Sequence, residues 1–166
     1  MEVKVIDVND PENFFSSTEV FTAFVENSVQ ISDIQFVESY KETSKENTFT
    51  KNGLELQPHP INFFSSEKKS IIFYGEIYNS DKYLTDDQFM VTYSIKNSAT
   101  DEFNQEFFQY SKLDVQPVVS FIKEIDITDL PGGNYNLLVE VKNKKNELVT
   151  QKKVFIPVSY THLRAH

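Results

Sequence analysis

Few residues in this chain could do chemistry, and their types decide which chemistry is worth considering. His59 stands between two prolines in Gln57-Pro-His-Pro60. It is the one histidine available to a Ser-His-Asp arrangement once the C-terminal tail discussed below is set aside. Flanking prolines hold such a residue in an extended loop, which predicts a solvated histidine with no carboxylate to brace it. The paired acids Asp86-Asp87 and Asp101-Glu102 lie among turn residues, where carboxylates serve solubility. Nothing around them predicts the buried acid of raised pKa that general acid catalysis requires. The run Asp7-Val-Asn-Asp10-Pro-Glu12-Asn13 is rich in oxygen ligands and is the candidate for calcium, set against the plainer reading of an acidic hairpin turn. Phe63, Phe64, Phe107, Phe108 and Tyr110 are candidates for an exposed aromatic platform of the kind that stacks on sugars. Against this, neighbouring aromatics in a strand point to opposite faces, one in each layer.

Composition closes other routes. With no cysteine there is no disulfide scaffold, thiolate zinc site or cysteine nucleophile, and four glycines leave no phosphate-cradling loop. No catalytic residue, cofactor or metal is therefore expected. A net charge of −9 argues against nucleic acid as a partner. No apolar run approaches the roughly 20 residues of a membrane span.

The elements that would position these residues read as strands. In Phe89-Met-Val-Thr-Tyr-Ser-Ile-Lys96, the residues Phe89, Val91, Tyr93 and Ile95 share one face, and in 135–142 Tyr135, Leu137, Val139 and Val141 do the same. Further strands are predicted at 32–40, 54–57, 70–79, 105–113 and 118–127, separated by Asn52-Gly53, Asn79-Ser-Asp81, Asn97-Ser98 and Pro131-Gly-Gly133. No helical stripe exceeds a turn or two. About seven short strands with regular turns predict an all-β, immunoglobulin-like antiparallel sandwich. Asp126–Tyr135 ends one strand, turns, and opens the next on a tyrosine, so Tyr135 is the candidate for the structural tyrosine corner of such folds. Lys144, Lys145, Lys152 and Lys153 on the last hairpin read as guards against edge-to-edge pairing.

The reading divides the chain into 1–28, the terminal hairpin of an incomplete preceding sandwich, 29–157, the immunoglobulin-like domain, and 158–166. The last nine residues, Val158-Ser-Tyr-Thr-His-Leu-Arg-Ala-His166, look like one translated frame of a transposon-end sequencing adapter and are read as a non-native tail. The natural protein is then expected to continue past Pro157 and to begin upstream of Met1. If 1–28 belongs to a lost domain, Phe14, Phe15, Phe21 and Phe24 should be poorly covered.

Three stretches carry a family resemblance. They are Ser32–Lys41 with Thr50-Lys-Asn-Gly53, then Phe73-Tyr-Gly-Glu-Ile-Tyr-Asn79, then Asp129–Lys142 running into Lys152-Lys-Val-Phe155. In order and spacing they resemble the N-terminal β-sandwich region of Bacteroidota envelope proteins that carry a GWxTD domain further along. The likeness covers about residues 30–157, and no Gly-Trp-x-Thr-Asp motif lies within this chain. It implies an exported, periplasmic or cell-surface multidomain protein, and no catalytic residues to carry over. The expected function is a non-catalytic module that spaces or docks other domains. The partners would be neighbouring domains of the same protein, and envelope proteins or glycans. The alternatives are a glycan- or peptide-binding module, and the accessory domain of an enzyme whose active site lies beyond residue 157.

Overall fold

The computed structural model describes residues 27–159, Asn9, Asp10 and Glu12, and the backbone of 2–6 and 14–18. β-branched and aromatic runs punctuated by Asn, Gly and Pro favour strands almost throughout. In chain order these are β1 (Glu2–Ile6), β2 (Phe14–Thr18), β3 (Gln30–Ile31), β4 (Gln35–Glu42), β5 (Thr50–Lys51), β6 (Leu54–Pro58) and β7 (Ser70–Tyr78). One helical turn, α1 (Ser80–Tyr83), leads to β8 (Gln88–Asn97), β9 (Phe103–Asp114), β10 (Val118–Asp126), β11 (Gly133–Lys142) and β12 (Leu148–Val158).

β1 and β2 pair antiparallel as a two-stranded sheet of their own. Phe21 and Phe24, and the side chains of Phe14 and Phe15, lie outside the described residues. Val29, by contrast, is buried in the main core. Two antiparallel sheets make up the rest. One runs β10-β7-β4-β6-β5 with β3 also on β7, and the other runs β12-β11-β8-β9. Setting aside the β5–β6 hairpin, the first, second and fifth strands (β4, β7, β10) form one layer. The third, sixth and seventh (β8, β11, β12) form the other, which is the immunoglobulin-like order. The fourth strand, β9, pairs with β8.

The inner faces follow the alternation. Ile71, Phe73 and Ile77 of β7 and Phe121 and Ile125 of β10 pack against Phe89, Val91, Tyr93 and Ile95 of β8, Leu137, Val139 and Val141 of β11, and Ile156 of β12. The strand predicted over 32–40 departs from regularity. Ile31 and Phe36 both face the core, yet they are five residues apart, a spacing that a continuous strand would put on opposite faces. The chain breaks between β3 and β4 to reconcile them. Ser32 keeps the ladder across the break: its N–H donates to the Glu76 carbonyl at 2.8 Å, and its hydroxyl accepts the Glu76 N–H at 3.0 Å.

On the outer face of the same sheet Val37, Leu56 and Tyr74 form a small second core with Leu54, Ile72 and Ile122. The β5–β6 turn is Asn52-Gly53, with φ of +48° and +78°, the left-handed pair a tight type I′ hairpin needs. It brings Asn52 onto Tyr74.

The register fixes where the chain comes in and leaves. Gln30 pairs with Tyr78, at the pole formed by α1, the start of β8 and the β11–β12 turn. Val158 pairs with Gly133 at the opposite pole, next to Asn97, which pairs with Tyr135. β12 extends through Val158, which is buried, and the following Ser159 N–H donates to the Phe64 carbonyl at 2.8 Å.

Tyr93 has a fully buried ring, and among the described residues its hydroxyl finds no hydrogen-bond partner. Burial pushes its pKa up, and the nearby Ser111 side chain works against that rise without cancelling it. Tyr93→Phe is therefore expected to leave stability unchanged or raise it by up to about 1 kcal/mol, because it removes an unpaired buried polar group. Urea unfolding reads this directly, and a loss above about 1 kcal/mol would mean that the hydroxyl is paired.

Candidate functional site

The densest polar constellation lies on the outer face of β7, where Tyr74, Glu76 and Tyr78 follow one another on one side of the strand. The Glu76 carboxylate accepts from the Tyr74 hydroxyl at 2.6 Å, from the Tyr78 hydroxyl, and from Asn52 Nδ2 at 3.2 Å. Asn52 Nδ2 also donates to the Tyr74 oxygen at 2.7 Å. Lys51 Nζ sits 5.6 Å above the Tyr74 ring and donates to Gln35 Oε1 at 3.1 Å. Burial pushes the Tyr78 hydroxyl up to about 12, with the Glu76 hydrogen bond and charge adding to it, and it raises Tyr74 for the same reasons. For Glu76, burial opposes ionisation, but the two tyrosines, Lys51 and Asn52 outweigh it and hold the carboxyl below its usual value. The arrangement latches the β5–β6 hairpin onto the sheet, with Tyr74, Tyr78 and Asn52 all donating to the Glu76 carboxylate.

A depressed folded-state pKa contributes stability above the unfolded value and loses it as pH falls through the folded one. Glu76→Gln should therefore be less stable than the parent at neutral pH. The gap should close as pH drops below the ordinary carboxylate value near 4.5. Urea midpoints measured for both proteins from pH 7 to pH 3 test this, and a gap independent of pH would show that the carboxylate charge is not what holds the latch.

His59 corrects the sequence reading. Its side chain is only 9% exposed rather than solvated. Nδ1 bonds the Glu38 carboxylate, Nε2 lies 3.1 Å from the Phe63 carbonyl, and the ring stacks on Phe64 at 5.0 Å. Lys68 takes the other Glu38 oxygen, and these two partners hold the Glu38 carboxyl below its usual pKa. Both ring nitrogens thus face oxygen acceptors, leaving neither aimed at a nucleophile, as a general base must be. His59 ties the loop after β6 to β4.

The proposed aromatic platform splits. Phe64 and Phe107 are each 3% exposed and belong to the main core, because each is the inward member of an adjacent pair. Phe108 (38%) and Tyr110 (59%) do face solvent on β9, while Phe63 is exposed on a different loop. The exposed Phe103 joins Phe108, with ring centroids 5.6 Å apart at 77°. An edge-to-face pair makes a ridge rather than the flat surface on which a sugar stacks. Parity would have placed Phe103 on the same side as Phe107. A register jump opposite Ser94–Lys96, where Asn104 Oδ1 accepts the Glu106 N–H at 3.0 Å, turns it outward.

Tyr135 donates its hydroxyl to the Pro131 carbonyl at 2.8 Å, the bond that pins a tyrosine corner. Asp7, Pro11 and Asn13 of the candidate calcium run lie outside the described residues. Among the described residues no cluster of His, Asp and Glu could hold a metal, and no helix is long and apolar enough to cross a membrane. Of the hairpin lysines, Lys152 reaches the other sheet and bonds Asp33 Oδ1 at 2.5 Å. A cleft of about 510 Å³ opens at the pole where the chain comes in, lined by Asp87, Met90, Lys112, Asp114 and the β11–β12 turn.

No protein-family model matches the chain, and no curated protein does. Among solved structures it is similar to an immunoglobulin-like protein from Pseudomonas aeruginosa, at 12% identity and a TM-score of 0.37, over 76% of this chain and 97% of that one. It is also similar to the β-D-glucoside glucohydrolase from Trichoderma reesei, at 14% identity and a TM-score of 0.38, over 90% of this chain and 20% of that one. A β-glucosidase from Kluyveromyces marxianus is similar at 11% identity and a TM-score of 0.31, over 75% of this chain and 14% of that one. The chain thus spans a fifth or less of either glycosidase. The immunoglobulin-like assignment rests on this chain's own strand order and register.

Proposed function

We propose that this domain is a non-catalytic spacer of a multidomain protein of the bacterial envelope, holding its neighbours apart and docking them at its two poles. One observation carries the reading: β3 opens the sandwich beside Tyr78, and β12 reaches Asn134 at Pro157, at opposite ends of the sandwich. β12 alone has 11 residues, so at about 3.3 Å per residue the poles stand roughly 35 Å apart. A domain with both ends at one pole would instead fold its neighbours back beside it. His59 and Glu76 support the non-catalytic reading, since each is engaged by groups that hold the fold together. The exported setting and the GWxTD association come from the sequence resemblance.

The test is small-angle scattering of this chain and of the same reading frame extended by its natural neighbouring domain. A spacer lengthens the maximum dimension by roughly 35 Å per domain added. An extended protein that stays compact, its longest dimension hardly changed, would contradict the reading.

A further inference from the structure

The sheet edges of this domain are not protected equally. β12 carries Lys152, Lys153 and Pro157, and Phe64 closes its far end by donating its N–H to the Pro157 carbonyl at 3.1 Å and accepting from Ser159. The open side of β10 is engaged where Gln109 Nε2 donates to the Glu124 carbonyl at 2.8 Å. β9 runs twelve residues with no proline or glycine, and among the described residues no strand pairs with its outer edge. Its ladder with β8 decides what points there. Val115 N–H donates to the Asp87 carbonyl, so the odd-numbered residues of β9 bond β8. The N–H and C=O of Phe108, Tyr110 and Lys112 are then turned to the open edge. The side chains of Glu106, Phe108, Tyr110 and Lys112 are all exposed.

We propose that β9 pairs antiparallel with β9 of a second copy of this chain about a two-fold axis at Gln109, joining the two four-stranded sheets edge to edge. Charge selects both the occupant and the register. With the axis at Gln109, Glu106 lies opposite Lys112 of the second copy and Phe108 lies opposite its Tyr110, each pair occurring twice by symmetry. Among the described residues neither Glu106 nor Lys112 takes part in an ion pair within its own chain. An axis at Tyr110 would set Glu106 against Asp114, and an axis at Phe108 would leave Glu106 facing Tyr110. Of these three axes, the one at Gln109 alone matches opposite charges and sets Phe108 directly against Tyr110. This pairing goes beyond the spacer reading, and the two stand or fall by separate measurements.

Sedimentation equilibrium of the full chain across a concentration series tests it, with Glu106→Lys, Lys112→Glu and the double exchange. All of these substitutions sit on an exposed strand face, and thermal melts check that the variants remain folded. The parent is expected to dimerise, and each single reversal, which creates two like-charge pairs, to weaken the dimer roughly tenfold or more. The double exchange should restore the parent affinity within about threefold. Amide exchange at Phe108 and Tyr110 should slow with rising concentration in the parent and not in the single reversals. A parent that stays monomeric at millimolar concentration would overturn the proposal, as would a dimer insensitive to the single reversals. Single and double variants weakened alike would also overturn it, because the Gln109 register requires the exchange to compensate.

Discussion

Replacing Phe73 with alanine is expected to cost about 3–5 kcal/mol, the range for truncating a buried phenylalanine. Phe73 is fully buried at the middle of β7. Its ring lies 5.8 Å from that of Tyr93 across the sandwich and 6.5 Å, edge to face, from that of Phe121 on the neighbouring strand. Those two rings also touch each other at 5.4 Å, so the three form a cluster that locks both sheets. Alanine removes the member that meets both others, and strands tied into two ladders cannot collapse into the gap. Against a total of roughly 5–15 kcal/mol for a domain, the loss removes between about a fifth and all of the stability. Urea unfolding followed by near-ultraviolet circular dichroism measures the loss, and a cost below about 1.5 kcal/mol would mean that the core is looser than this packing implies.

The second large effect comes from adding atoms. Gly75 takes an inward position of β7 between Phe73 and Ile77, and it pairs directly with Phe121. A Cβ there would lie 2.5 Å from Phe121 Cζ and 3.1 Å from Ile34 Cδ1. Its φ is outside the left-handed region, so the glycine is present for room rather than for backbone freedom. Gly75→Ala is expected to cost about 1–3 kcal/mol through overpacking, despite alanine's lower unfolded-state entropy. Phe121→Leu frees the space the methyl group needs. The double variant should therefore be more stable than the sum of the two single losses, with a coupling on the order of 1 kcal/mol in a double-mutant cycle. Strict additivity would place the strain elsewhere.

Elements with clean period-two alternation were legible in the sequence: β7, β8 and β11 fall within a residue or two of the stretches predicted for them. Asn52-Gly53 announced its hairpin, and the Pro131–Tyr135 turn announced the tyrosine that closes it. What escaped is non-local or breaks parity. The interruption between β3 and β4 shows only in the odd spacing of Ile31 and Phe36, and it makes sense once β7 is known to lie beside both. Phe103 is turned outward by a bulge that Asn104 stabilises, which alternation alone cannot register. Pro58 and Pro60 describe the backbone around His59 accurately, but its environment comes from Glu38 on β4 and from Phe64, which the loop brings back. The Glu76 latch was within reach: Tyr74, Glu76 and Tyr78 alternate on the face opposite the core series, where a carboxylate between two phenols finds donors at once.

The central claim is that the chain passes from one pole to the other, and it can be measured with one pair of labels. The protein has no cysteine, so Ser28→Cys and Asn134→Cys, the latter paired with Pro157 at the far pole, accept spin labels only at those two positions. Double electron–electron resonance should then return a single narrow distribution centred at roughly 30–40 Å, set by the rise of β12 from one pole to the other. A distribution centred below about 20 Å, less than the length of a six-residue strand, would place both ends at one pole and remove the basis for a spacer.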